Sequence, residues 1–216
     1  MRIRWKHLEV VFKEVPRIRA HLNAASKQPN AIPVSLDDIT AAIREIYGFE
    51  IEVRLVDFGT AVIKGMIEIF EKKAIITIDA NLNMHDTRLV FVKEASHIVF
   101  ITDENKTKDP AAIIERYVHN RPETDDGSHP DDIVCEEITK HAAAELLFPP
   151  ALRQKFKDEI TQGKTTIFKV AEALNLPDYY VEWVLEDSYM DNSARMRGDA
   201  GEPERFQVPQ KSDKKP

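Results

Sequence analysis

Residues 87–99 read TRLVFVKEASHIV, and the way this stretch folds decides how the rest of the chain is arranged. Its unbroken mixture of apolar, charged and small residues, with no Gly or Pro, predicts a helix. On a helix Lys93 and His97, four residues apart, share a face, while Glu94 lies about 100° round from Lys93. Before this stretch the period changes to that of strands. FEIEVRLVDF (49–58), TAVIKGMIEIF (60–70) and KKAIITIDA (72–80) are rich in β-branched residues and alternate in places. Three strands in antiparallel succession are the simplest arrangement, with a hairpin at Glu71-Lys72-Lys73 and a loop from Asn81 to Asp86.

Further out the helical period returns on both sides. Toward the amino terminus, residues 5–24 carry Leu8, Val11, Phe12, Val15, Ile18 and Leu22 at helical spacing, with Pro16 expected to kink or interrupt the helix. A linker, SKQPNAIPV (26–34), precedes a second helix. Ser35 is its N-cap, Asp38 holds the capping-box position, Leu36, Ile39, Ile43 and Ile46 form one face, and Gly48 stops it. Toward the carboxyl terminus, Asp109-Pro110 opens a short helix, AAIIERYVHN, and RPETDDGSHPDD reads as a surface loop. IVCEEITKHAAAELLFPP then forms a helix ended by Pro149-Pro150. Three shorter helices follow, ALRQKFKDEITQG, TTIFKVAEALNLP and DYYVEWVLEDSYM, separated by Gly163 and Pro177. The expected class is α+β, a small antiparallel sheet packed with the central helix and several further helices. Its expected divisions are an N-terminal helix and linker (1–34), a main domain (35–191) and a charged, disordered tail (192–216).

Composition narrows the function. The 216 residues contain 30 Lys+Arg against 37 Asp+Glu, a formal net charge of −7, so the long-range field repels nucleic acid. Cys135 is the single cysteine, which excludes an intrachain disulfide. The first residues, MRIRWKHLEVVF, lack the apolar core of a signal peptide, and no apolar run approaches the roughly 20 residues that span a bilayer. The expected location is the cytoplasm.

The chemistry lies in Lys93-Glu94-Ala95-Ser96-His97. Zinc peptidases use two imidazoles one helical turn apart to bind the metal, and the glutamate beside the first activates the metal-bound water. Here the second imidazole, His97, and the base, Glu94, are present, and lysine stands at the first ligand position. An unperturbed lysine, with a pKa near 10.4, offers no lone pair to a metal at neutral pH. Its ammonium could instead take the place of the metal's charge.

Arg88-Leu89-Val90-Phe91-Val92-Lys93-Glu94-Ala95-Ser96-His97 resembles the metallopeptidase helix of the ImmA/IrrE family, typically Arg-Phe-Thr-Leu-Ala-His-Glu-Leu-Gly-His, in register over all ten positions. The stretch from Glu136 to Pro149, EEITKHAAAELLFP, resembles that family's later helix, where a glutamate precedes Phe-Ala-Ala-x-Leu-Leu-Met-Pro. The likeness extends over roughly residues 35–187. It implies a zinc-dependent endopeptidase of bacterial or mobile-element origin that cuts a transcriptional repressor bearing a helix-turn-helix domain. His97 and Glu136 would be metal ligands and Glu94 the catalytic base. Lys93 and Ser96 depart from the family pattern, and the first departure implies the alternative of an inactive pseudopeptidase that binds such a protein without cutting it.

The other candidates read more plainly. Cys135, about 100° round the helix from Glu136, is expected to point elsewhere and serve as a small apolar residue. Glu137 and His141 read as a solvated i,i+4 pair. His85, His119 and His129 fall in or near loops or helix ends. Tyr179, Tyr180, Trp183 and Val184 read as the packing face of the last helix. The Thr166–Leu185 segment imitates a helix-turn-helix, but Asp178, Glu182, Glu186 and Asp187 on its second helix would repel phosphates.

Overall fold

In the computed structural model the described residues are 5–25, 32–60, 62–100 and 131–198. The short helix expected after Asp109-Pro110, His119, His129, most of the loop before Asp131 and everything beyond residue 198 lie outside them. The elements are α1 (Trp5–Ala25), α2 (Leu36–Tyr47), β1 (Glu50–Val56), β2 (Gly65–Ile69), β3 (Lys73–Asp79) and α3 (Met84–Phe100). There follow α4 (Asp131–Leu147), α5 (Pro150–Thr161), α6 (Ile167–Leu174), α7 (Asp178–Leu185) and α8 (Asp187–Arg197). The class is α+β, as the periodicity predicts.

The sheet corrects the expected meander. Its order is β1-β3-β2, with β2 and β3 antiparallel across the hairpin and β1 parallel to β3. The reason lies in the strand sequences. KAIITID is a nearly continuous apolar run, suited to burial on both sides, and every residue from Ala74 to Asp79 is buried. EIEVRLV and GMIEI carry charges or glycine and stay partly exposed, so they take the edges. The connection after Val56 therefore crosses the C-terminal end of β3, where Ala80 N–H donates to the Val56 carbonyl and Asp79 N–H to the Lys64 carbonyl.

The caps of α2 are those expected. The Ser35 hydroxyl accepts from Asp38 N–H at 3.2 Å, and Gly48, at φ 75°, closes the helix with its N–H on the Arg44 carbonyl. All six apolar residues marked on α1 are buried and join a core shared with α2, α3, α4 and β3. Pro16 does not interrupt the helix, which runs through it. The proline is exposed, and the buried side chains on either side hold the helix together.

Two further corrections concern the carboxyl-terminal helices. DYYVEWVLEDSYM is broken at Glu186, whose ψ of 139° is extended, and α8 continues to Arg197 through residues expected to be disordered. Lys157 steadies the break, its Nζ donating to the Leu185 carbonyl at 3.0 Å and pairing with Asp187. No described helix is long and apolar enough to cross a membrane.

His141 is not solvated. It is buried, stacked on Tyr189 at 5.6 Å and edge-on to Trp183 at 5.4 Å, with Nδ1 at 2.8 Å from the Glu137 carbonyl. Burial, aided by the nearby Lys140 charge, lowers its pKa to about 4. A folded-state pKa below the unfolded value of 6.5 means that neutral His141 stabilises the fold above pH 6.5 and that this contribution fades as pH falls toward 4. We expect urea unfolding to show the protein losing about 2 kcal/mol more between pH 7 and 4.5 than His141→Phe.

Candidate functional site

α3 is buried on nearly every side, packed between the sheet, α2 and α4, which explains why its sequence shows no clear polar face. The buried set includes Glu94 and His97. Ser96, the second departure from the family pattern, returns its hydroxyl to the Val92 carbonyl at 2.7 Å and leaves the helix undisturbed.

α4 crosses α3 and brings Glu136 to the same place. Lys93 Nζ lies 2.6 Å from Glu136 Oε2 and 2.9 Å from Glu94 Oε1. His97 Nε2 lies 3.2 Å from Glu136 Oε1 and 3.7 Å from Glu94 Oε2. The 3.2 Å contact is close enough for ion pairing, although the ring N–H is not aligned for a hydrogen bond. The four residues singled out from the sequence thus form one cluster.

Cys135 is a correction. It is buried, as expected, but its Sγ lies 3.4 Å from His97 Nδ1. Neighbours on α4, Cys135 and Glu136 reach opposite nitrogens of one imidazole. The 100° rotation separates their directions, yet a ring lying across the helix face meets both.

The charges balance. Burial opposes a charged His97, but Cys135, Glu136 and Glu94 outweigh it and raise its pKa to about 10. Burial likewise opposes the Lys93 ammonium, and Glu94 and Glu136 hold it above its usual range. Glu136 would be pushed up by burial, yet His97 and Lys93 lower it to about 2. Lys93 and His97 are therefore held protonated beside an ionised Glu136 near neutral pH. The His97 contribution to stability is complete below its unfolded value of 6.5 and is lost as pH rises through about 10.

Two of the three zinc positions implied by the resemblance keep a fitting geometry. Donors each about 2.0–2.2 Å from a tetrahedral zinc stand about 3.3–3.5 Å apart, close to the His97–Glu136 spacing. The third position does not fit, because it presents an ammonium. Cys135 cannot replace it, since it faces the far nitrogen of His97. His85 stands at the start of α3 with Nε2 3.8 Å from Glu172, and His141 sits in the aromatic cluster. Among the described residues no group of three or more His, Cys, Asp and Glu is arranged to hold a metal ion. Glu94, with Lys93 on one oxygen and His97 near the other, is engaged in ion pairs instead of being free to accept a proton from water.

No protein-family model matches the chain, and no curated protein matches it. The site is therefore read on its own geometry.

Gly65, at the start of β2, is a further residue that shapes the site. A Cβ there would stand 2.4 Å from Val90 Cγ1 and 3.3 Å from Glu94 Cγ, so glycine lets the edge strand press directly on α3. Its signal was present as a glycine within a strand, which marks close backbone approach. Gly65→Ala should cost about 1–3 kcal/mol through overpacking, visible as a lower thermal midpoint. Val90→Ala in the same chain should return part of it.

Proposed function

We propose that this chain is a metallopeptidase-like domain working as a pseudopeptidase, a protein-binding module whose former metal position is held by Lys93. The observation that carries the proposal is the Lys93 ammonium within 2.6–2.9 Å of both carboxylates. Lys93 and a protonated His97 together supply the two positive charges that a zinc ion would bring, so Glu136 stays ionised and α3 stays docked on α4 without metal. The His97–Glu136 spacing supports descent from a zinc site. The reading as an active zinc endopeptidase lacks a donor for the third position among the described residues, and its general base, Glu94, is tied to Lys93.

The partner follows from the ImmA/IrrE resemblance. It is a protein, of the kind that family acts on, a transcriptional regulator with a helix-turn-helix domain. Direct binding of nucleic acid is disfavoured by the net charge of −7.

Elemental analysis of untagged protein purified without chelator tests the proposal. It should find no stoichiometric zinc. About one zinc per chain, lost in Glu136→Gln, would overturn the pseudopeptidase reading in favour of the peptidase.

A further inference from the structure

Among the described residues β1 ends the sheet on one side. Glu50 N–H donates to the Lys72 carbonyl, and the Val56 carbonyl accepts from Ala80, so in the parallel register of this pair the even-numbered residues of β1 bond to β3. Ile51, Val53 and Leu55 therefore direct their N–H and C=O groups to the open edge. Their side chains share the helix-facing side with Ile76 and Ile78 of β3, which are fully buried. The helices do not reach this far, and Val53 is 49% and Leu55 64% exposed.

A long, apolar open edge is a template for another strand. The order of residues in Glu50-Ile51-Glu52-Val53-Arg54-Leu55-Val56 selects which strand. Pairing the segment with itself antiparallel about Val53 sets Val53 against Val53, Ile51 against Leu55 and Glu52 against Arg54. The first two are the positions whose backbone groups are free, so they become the hydrogen-bonded pairs. Glu52 and Arg54 fall at the non-hydrogen-bonded positions, where side chains approach most closely. Centring the pairing one residue to either side sets Glu52 against Glu52 or Arg54 against Arg54. A pairing offset that opposes odd to even residues places apolar side chains on the charged face.

Within one chain Glu52 is contacted by Arg54 at 2.7 Å and Lys73 at 2.6 Å. Charges on an edge strand ordinarily discourage pairing. Here their opposite signs, symmetric about Val53, discourage the shifted registers and favour one.

We infer that β1 is a dimerisation edge, joining two copies of this chain through antiparallel β1–β1 pairing about Val53 into one continuous sheet. The exposed Leu55 of each copy then lies against the half-buried Ile51 of the other and extends both cores.

Sedimentation equilibrium of the full chain over a range of concentrations tests this. The wild type should dimerise, more weakly as salt is raised. Glu52→Arg and Arg54→Glu should each weaken the dimer about tenfold or more, because each sets like charges opposite one another at two places. An equimolar mixture of the two variants should recover the dimer, since every facing pair is then of opposite sign. Both positions are solvent-facing, so unchanged circular dichroism checks folding. Val53→Pro, which removes an outward N–H and no bond to β3, should also weaken association. A wild type that stays monomeric throughout would overturn the inference and leave the edge to a strand of another protein. A dimer indifferent to these substitutions, or a mixture that fails to restore it, would place the interface elsewhere and overturn it equally.

Discussion

Arg153→Met should destabilise the protein by about 3–5 kcal/mol, the largest loss expected of any substitution considered for this chain. Arg153 is 1% exposed. Its Nη2 lies 2.7 Å from Glu145 Oε1, its Nη1 donates to the Ser193 hydroxyl at 3.3 Å, and its Nε donates to the Phe148 carbonyl just beyond α4. The guanidinium also lies over the Tyr189 ring at 5.2 Å. It thus ties the C-terminal end of α4 to α5 and α8, at the helix end where the backbone dipole favours a cation. Methionine fills much of the volume but takes the closest cation from the buried Glu145, leaving it Arg197 at 3.5 Å, the Tyr189 hydroxyl at 3.0 Å and the nearby Arg19 charge. Most of the loss comes from that under-compensated carboxylate, so Glu145→Gln in the same chain should recover part of it. Arg153→Lys keeps the charge without the planar fork and should recover only a fraction. Urea unfolding midpoints of the four proteins measure each step.

Lys93→Met is the second large effect, about 2–4 kcal/mol. It takes the closer cation from Glu94 and Glu136 and leaves them His97, at 3.7 and 3.2 Å; Glu94 is 3% exposed. The loss lies below that expected at Arg153 because the side chains of Lys93 and Glu136 keep 27% and 30% of their exposure, and water screens part of what is lost. Adding Glu94→Gln should restore some stability by removing the buried charge. If Lys93→Met instead left stability unchanged, the ammonium would not be what holds α3 against α4, and the stand-in role would fail.

What the sequence revealed of this fold follows from where local chemistry is strong. Ser35 and Gly48 bound α2 because a cap hydroxyl and a left-handed glycine act within a few residues. The six buried positions of α1 were legible because one amphipathic face repeats for several turns. Strand order was not, since whether β2 or β3 lies in the centre depends on pairing across the chain, although the continuous apolar run of β3 carried the hint. The break at Glu186 has no glycine, proline or capping side chain to mark it. It depends on Lys157, about two turns into another helix.

The candidate site divides in the same way. Lys93, Glu94 and His97 share one helical segment and were legible by spacing, and Glu136 was reached through the family likeness. Cys135 was missed because a helical wheel gives directions but not the orientation of the ring that meets them. His141 and the Glu145–Arg153 pair were missed because each is a polar residue whose partners lie far along the chain. The acid within AAAELLF was a signal, since a glutamate in so apolar a run needs a buried partner.

In the proposed function Lys93 stands where a metal once did, beside a His97–Glu136 pair that keeps the spacing of two zinc donors. Zinc titration of Lys93→His beside the wild type, read by calorimetry, tests it most directly. The variant should bind about one zinc per chain, at least about 100-fold more tightly than the wild type, because on this proposal His97 and Glu136 supply two of the three donors. No gain in affinity in a folded variant, or equally tight binding by the wild type, would contradict it.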